Sequence, residues 1–154
     1  MTHRIGIGAL LFALVLGACG GYEPPPAPQD PEPSPADPLE RQIRTRAPTE
    51  APYMIRQGAA NHFTMTPGQP ASFTSVLAGG LCYKVLAQGE SGIGEVELFL
   101  YNADGVLVQE DTTTGAGAIL GTTRPICPEE PVQLRVEIRT SGPGEVAAQL
   151  YASP

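Results

Sequence analysis

At 154 residues the chain has room for one domain plus appendages. Its formal net charge of −7 is spread along the sequence, and no stretch concentrates Lys or Arg. That excludes the basic surface needed to release counterions from a phosphate backbone, so nucleic acid is not an expected partner, and the acidic balance argues for solubility.

Residues 1–18 carry a short positive start, Met1-Thr2-His3-Arg4, and then an apolar run from Ile5 to Leu16. This run is of signal-peptide length and falls short of the about 20 apolar residues that span a bilayer comfortably. It closes on Leu16-Gly17-Ala18-Cys19, small residues followed at once by a cysteine. In charge, apolar core and closing box the segment resembles the bacterial lipoprotein signal. The resemblance implies transfer of diacylglycerol to the Cys19 thiol, cleavage between Ala18 and Cys19, and acylation of the new amino group by a fatty acid such as palmitate. Several chains together satisfy the rule that a single acyl chain binds only marginally. Gly20 stands where an Asp would favour retention in the inner membrane, so the resemblance implies a lipid-anchored envelope protein, at the outer membrane in a Gram-negative cell.

Residues 19–52 read as the lipidated cysteine and a proline-rich disordered linker. Pro24, Pro25, Pro26 and Pro28, then Pro31, Pro33, Pro35 and Pro38, alternate with polar residues, and such a segment lacks the apolar side chains to offset ordering entropy. It predicts an extended polyproline II spacer, with ligand motifs for a partner domain as the less common alternative. The stretch 39–46 (LERQIRTR) predicts a turn or two of marginal helix, its three arginines solvated, with contact to anionic lipid as the less common alternative.

From residue 53 to 154 the texture changes to short alternating runs punctuated by Gly, Pro and Asn-Asp turns. Strands are expected at 62–66, 71–77, 81–88, 95–101, 106–109, 118–120, 132–139 and 145–152. In the clearest of them Val96, Leu98 and Leu100 take one face and Glu95, Glu97, Phe99 and Tyr101 the other. Asn102-Ala103-Asp104-Gly105 reads as a tight turn. In 132–139 Val132, Leu134, Val136 and Ile138 point inward. Seven or eight strands with no helix of ordinary length predict an all-β fold, a small β-sandwich with jelly-roll or immunoglobulin-like connections. Its core is expected to draw on aliphatics plus Phe63, Phe73, Tyr83 and Phe99.

With Cys19 assigned to lipid, Cys82 and Cys127 remain as a pair in an oxidising compartment, and the expected outcome is a disulfide. The run Glu95 to Gly105 (EVELFLYNADG), the strand at 132–139 and the Gly-rich turn and strand at 142–151 resemble the bacterial pre-peptidase C-terminal domain. Glu95 and Glu97 stand where that family has Asp, and Pro131-Val132-Gln133 replaces its Gly-x-Tyr start. The resemblance implies a jelly-roll-like sandwich of the kind appended to exported enzymes as a binding or targeting module, and no functional residue follows from it.

No catalytic constellation emerges. His62 is the sole histidine after the signal segment, has no nucleophile elbow to serve, and reads as structural or superficial. Glu95 with Glu97 falls on a solvated sheet face, unlike the flanking pair of a glycosidase cleft. Asp104, Glu110 and Asp111 flank one hairpin and are the weak candidates for calcium, although turn chemistry alone accounts for the Asn102–Gly105 segment. Tyr83, Tyr101 and Tyr151 would form a sugar platform if exposed. The sequence thus predicts a non-enzymatic lipoprotein that needs no cofactor and displays a binding or accessory domain toward a protein or envelope component; the alternative is a carbohydrate- or calcium-binding module.

Overall fold

The computed structural model describes residues 37–153. The expectations for residues 1–36, Cys19 among them, lie outside this range.

Helix α1 (Pro38–Glu50) comes first, followed by eight strands: β1 (Ile55–Met65), β2 (Ala71–Leu77), β3 (Cys82–Gly89) and β4 (Val96–Tyr101). Then come β5 (Leu107–Asp111), β6 (Gly117–Leu120), β7 (Val132–Thr140) and β8 (Gly144–Ser153). They form two four-stranded antiparallel sheets, ordered β1-β8-β3-β6 and β2-β7-β4-β5. The pairing is nested, first strand with last, second with seventh, third with sixth, fourth with fifth. A long hairpin rolled up on itself gives this order, so of the two sandwich connections open to the sequence the chain adopts the jelly roll.

The core follows from strand alternation. Val96, Leu98 and Leu100 of β4 and Leu134, Val136 and Ile138 of β7 face Val85 and Ala87 of β3 and Val146 and Ala148 of β8 across the sandwich. Phe63 and Phe73 stack at one margin with ring centroids 6.2 Å apart. Phe99 departs from its expected core role, because it lies on the outer face of β4. It is nonetheless buried, being covered by a side chain from β7.

The expected linker ends earlier than residue 52. Residues 38–50 form a helix, and its face packs against the outer surface of the first sheet. Leu39, Ile43 and Ala51 meet Leu86 of β3 and Ala147 and Tyr151 of β8 in a second apolar cluster. Propensity alone would leave so short a helix marginal; tertiary burial supplies what it lacks. Its start is cut sharply: the Asp37 carboxylate accepts the Leu39 and Glu40 N–H groups at 2.8 and 3.1 Å, and Pro38 occupies the first turn. At its end the Lys84 ammonium donates to the Glu50 carbonyl at 2.7 Å, a cation on the negative end of the helix dipole. Between them Arg46 reaches the sheet, donating to the Ala87 carbonyl at 2.8 Å and to Gln88 at 2.9 Å. Its guanidinium lies over Gly117, where a Cβ would collide with it.

Strand β1 is longer than the expected 62–66. Its early half is hidden from pattern reading by an irregularity between Gln57 and Asn61, with Gly58 at φ +64°. Gln149 of β8, 2 % exposed, fills this irregularity and donates to the Gln57 and Gly58 carbonyls. A buried amide is thus matched to carbonyls that the disrupted ladder would leave unpaired.

Candidate functional site

The disulfide between Cys82 and Cys127 is present and spans a sequence separation of 45. It fastens the start of β3 to the loop before β7, where Tyr83 and Ile126 exchange two backbone hydrogen bonds of 2.8 and 3.1 Å. Closing a loop of this length contributes about 4 kcal/mol in the chain-entropy account. Nearby, Gly79 lies so close to the Glu129 backbone that a Cβ would collide with its carbonyl.

The three calcium candidates are placed differently from one another. Asp111 ends β5 and is almost fully buried. One of its oxygens accepts the Thr113 N–H and hydroxyl at 3.0 and 2.7 Å, and the other accepts the Ile119 N–H at 2.7 Å. Two residues earlier, Gln109 accepts the Gly121 N–H at 2.7 Å and donates to the Arg124 carbonyl at 2.7 Å. Alternate side chains of β5 therefore take up the backbone N–H groups of Ile119 in β6 and of Gly121 just after it. The margin where the two sheets meet is closed by side chains in place of a ladder, and the edge of β6 is covered. Asp104 sits in the exposed turn after β4, where the Asn102 side chain accepts the Asp104 and Val106 N–H groups and Gly105 takes φ +77°. Glu110 is exposed on the outer face of β5.

The tyrosines form no common platform. Tyr83 and Tyr151 are 4 % exposed, and the Tyr83 hydroxyl accepts the Ala78 N–H at 2.9 Å. Burial raises the Tyr151 pKa, partly countered by Arg56 and Arg44. Of these three candidates only Tyr101 reaches the surface, on the outer face of β4.

Among the described residues, one group of three side chains has metal-ligating geometry, and it joins His62 to Asp37 and Glu40. The two ring nitrogens of His62 face different carboxylates, Nδ1 toward Asp37 at 3.3 Å and Nε2 toward Glu40 at 3.1 Å. The second Glu40 oxygen meets Arg56 at 3.5 Å. The positive end of the helix dipole and Arg56 both oppose a further cation here. These contacts tie the helix start to β1, which fits the structural reading of His62. Sequence reasoning missed its partners, and the signal for them was Asp37-Pro38, a capping residue ahead of a proline at the first helical position.

Among the described residues no helix packs on the outer face of the second sheet. Along β7 this face presents Arg135, Glu137 and Arg139. By register Arg135 lies opposite Thr74 and Tyr101, Glu137 opposite Ser72 and Phe99, and Arg139 opposite Glu97. The Arg135 guanidinium stands 4.2 Å from the Tyr101 ring centroid and that of Arg139 4.3 Å from that of Phe99. Glu137 bridges the two arginines at 2.8 and 2.7 Å. Burial pushes its pKa up, but hydrogen bonds from Arg135 and Arg139 outweigh this and hold it below the ordinary value. The face continues to β5, where Val106, Leu107 and Val108 are exposed at the sheet edge. An ion-paired centre thus lies on the same face as the exposed apolar residues at the start of β5.

Among the described residues no helix is long and apolar enough to cross a membrane. The sequence matches no family model, and no curated protein resembles it significantly.

Proposed function

We propose that this protein is a non-enzymatic lipoprotein, held at the cell envelope by acyl chains on Cys19, which displays its jelly roll as a binding or accessory module. The observation that carries the reading is Leu16-Gly17-Ala18-Cys19 at the end of a charged and then apolar N-terminus. The outer membrane of a Gram-negative cell is the proposed address, on the strength of Gly20 after the cysteine. The fold supports the display role by its asymmetry: α1 covers one sheet, leaving the outer face of β2-β7-β4-β5 and the apolar edge of β5 for a protein or envelope partner. With α1 belonging to the domain, the spacer shortens to residues 19–36. The resemblance to the pre-peptidase C-terminal domain favours the same class of role, a non-catalytic module on an exported protein.

Replacing Cys19 with Ser tests the anchor. The expected result is loss of metabolic palmitate labelling and release of the protein from the membrane fraction. Mass spectrometry of the mature wild-type chain would overturn the reading if its first residue were anything other than an acylated cysteine.

A further inference from the structure

The acidic total conceals a divided surface. Helix α1 and the residues it rests on carry Arg41, Arg44, Arg46, Arg56 and Lys84 against Asp37, Glu40 and Glu50, an excess of cations. The rest of the described domain carries ten carboxylates against three arginines. Sequence separation hid this, because folding brings Lys84 of β3 and Arg56 of β1 to the helix. Arg41 and Arg44 are exposed on its outer side. The loop after the helix adds Tyr53, 98 % exposed. The spacer, which carries Glu23, Asp30 and Glu32, joins the domain at Asp37, the residue that caps the helix, so the cation excess belongs to the folded face alone.

From these observations we infer that the helix-bearing face lies against an anionic lipid headgroup surface, with the second sheet turned away from it. The inference rests on the proposed anchor at Cys19 and adds an orientation to it. Two complementary forces act. Anionic headgroups attract the outer arginines and repel the strongly acidic remainder, so the divided charge exerts a turning moment on the tethered domain. An exposed aromatic ring just past the helix end suits the headgroup level, where amphipathic side chains settle. Each arginine supplies only a weak attraction. Attachment through a short spacer converts that contact into an intramolecular one at high effective concentration, so weak contacts suffice to set orientation. The result presents the Arg135-Glu137-Arg139 face and the β5 edge to partners in solution.

The chain lacks tryptophan, so a single reporter can be placed on either face. The mature chain, beginning at Cys19, would be coupled through that thiol to a maleimide lipid in vesicles, making attachment independent of cellular acylation. One version carries Tyr53→Trp beside the helix and the other Val76→Trp on the second sheet, at a position 71 % exposed. On phosphatidylglycerol-containing vesicles the emission of the first is expected to shift to the blue, and high salt should reverse the shift. Phosphatidylcholine vesicles should produce none, and the second reporter should stay unchanged on both. Arg41→Gln and Arg44→Gln should each reduce the fraction in contact relative to free domain about fivefold. Equal responses from the two reporters, no response at position 53, or the same shift on neutral vesicles would overturn the orientation. Failure of palmitate labelling in cells would remove the natural anchor and leave this measurement interpretable.

Discussion

Glu137 shows how one residue's surroundings settle its part in stability. It lies on a sheet face that period-2 reading assigns to solvent, yet two guanidinium groups enclose it and hold its carboxyl below the ordinary value. A depressed carboxylate pKa adds stability that is present above the unfolded-state value and fades as pH falls through the folded one. Glu137→Gln is therefore expected to flatten the acid limb of the stability curve below about pH 4.5. At neutral pH the cost should stay under about 1 kcal/mol, since the pairs are partly screened by water. Thermal unfolding across an acid pH series checks this, and an unchanged acid limb would contradict the pairing. Asp111 teaches the complementary lesson. Its three hydrogen bonds, two from Thr113 in the turn after β5 and one from Ile119 of β6, give it a structural occupation that its place beside Glu110 in the sequence does not announce.

At the scale of the element, the strands were legible and the helix only in part, as the turn or two expected over 39–46. The alternation at 71–77, 95–101 and 132–139 meets β2, β4 and β7 within a residue or two, because each strand has one face in the core. In β1 the alternation is broken by the irregularity at Gln57–Asn61, and the edge position leaves few apolar residues to read. The full length of α1 and its docking escaped because its apolar residues are few and it sits in proline-rich surroundings. Its stability comes from the outer surface of a sheet assembled from residues at least 30 positions away, Leu86, Ala147 and Tyr151. Ile43, 1 % exposed, is the centre of that contact. Ile43→Ala should destabilise the domain by about 2–4 kcal/mol if helix and sandwich unfold together. Chemical denaturation followed by circular dichroism would show this as a shifted midpoint; an unmoved midpoint would mean that the helix is not coupled to the sandwich.

For the molecule as a whole, the nested pairing brings the first strand beside the last and makes most contacts long-range. The disulfide shortens one of the loops that such a fold has to close. Reduction of the Cys82–Cys127 bond, or Cys82→Ser with Cys127→Ser, is expected to cost about 4 kcal/mol. That is a large part of the stability of a domain this size. Denaturant titration with and without reductant measures the loss, and equal midpoints would show the bond to be incidental.

The sequence by itself determined the kinds of element after residue 60, the inward face of the main strands, the cysteine pair and the chemical character of the N-terminus. All of these are written in local spacing: period 2 along a strand, a parity of cysteines, a charged start before an apolar run. Tertiary structure alone decided which sandwich connection was used, that residues 38–50 belong to the domain, that Tyr83 and Tyr151 are buried, and that the cations gather on one face. Each of these depends on which distant segments become neighbours, and chain order carries no such distance. Burial against a partner sheet, and charge summed over a surface, come into being only when the chain has closed on itself.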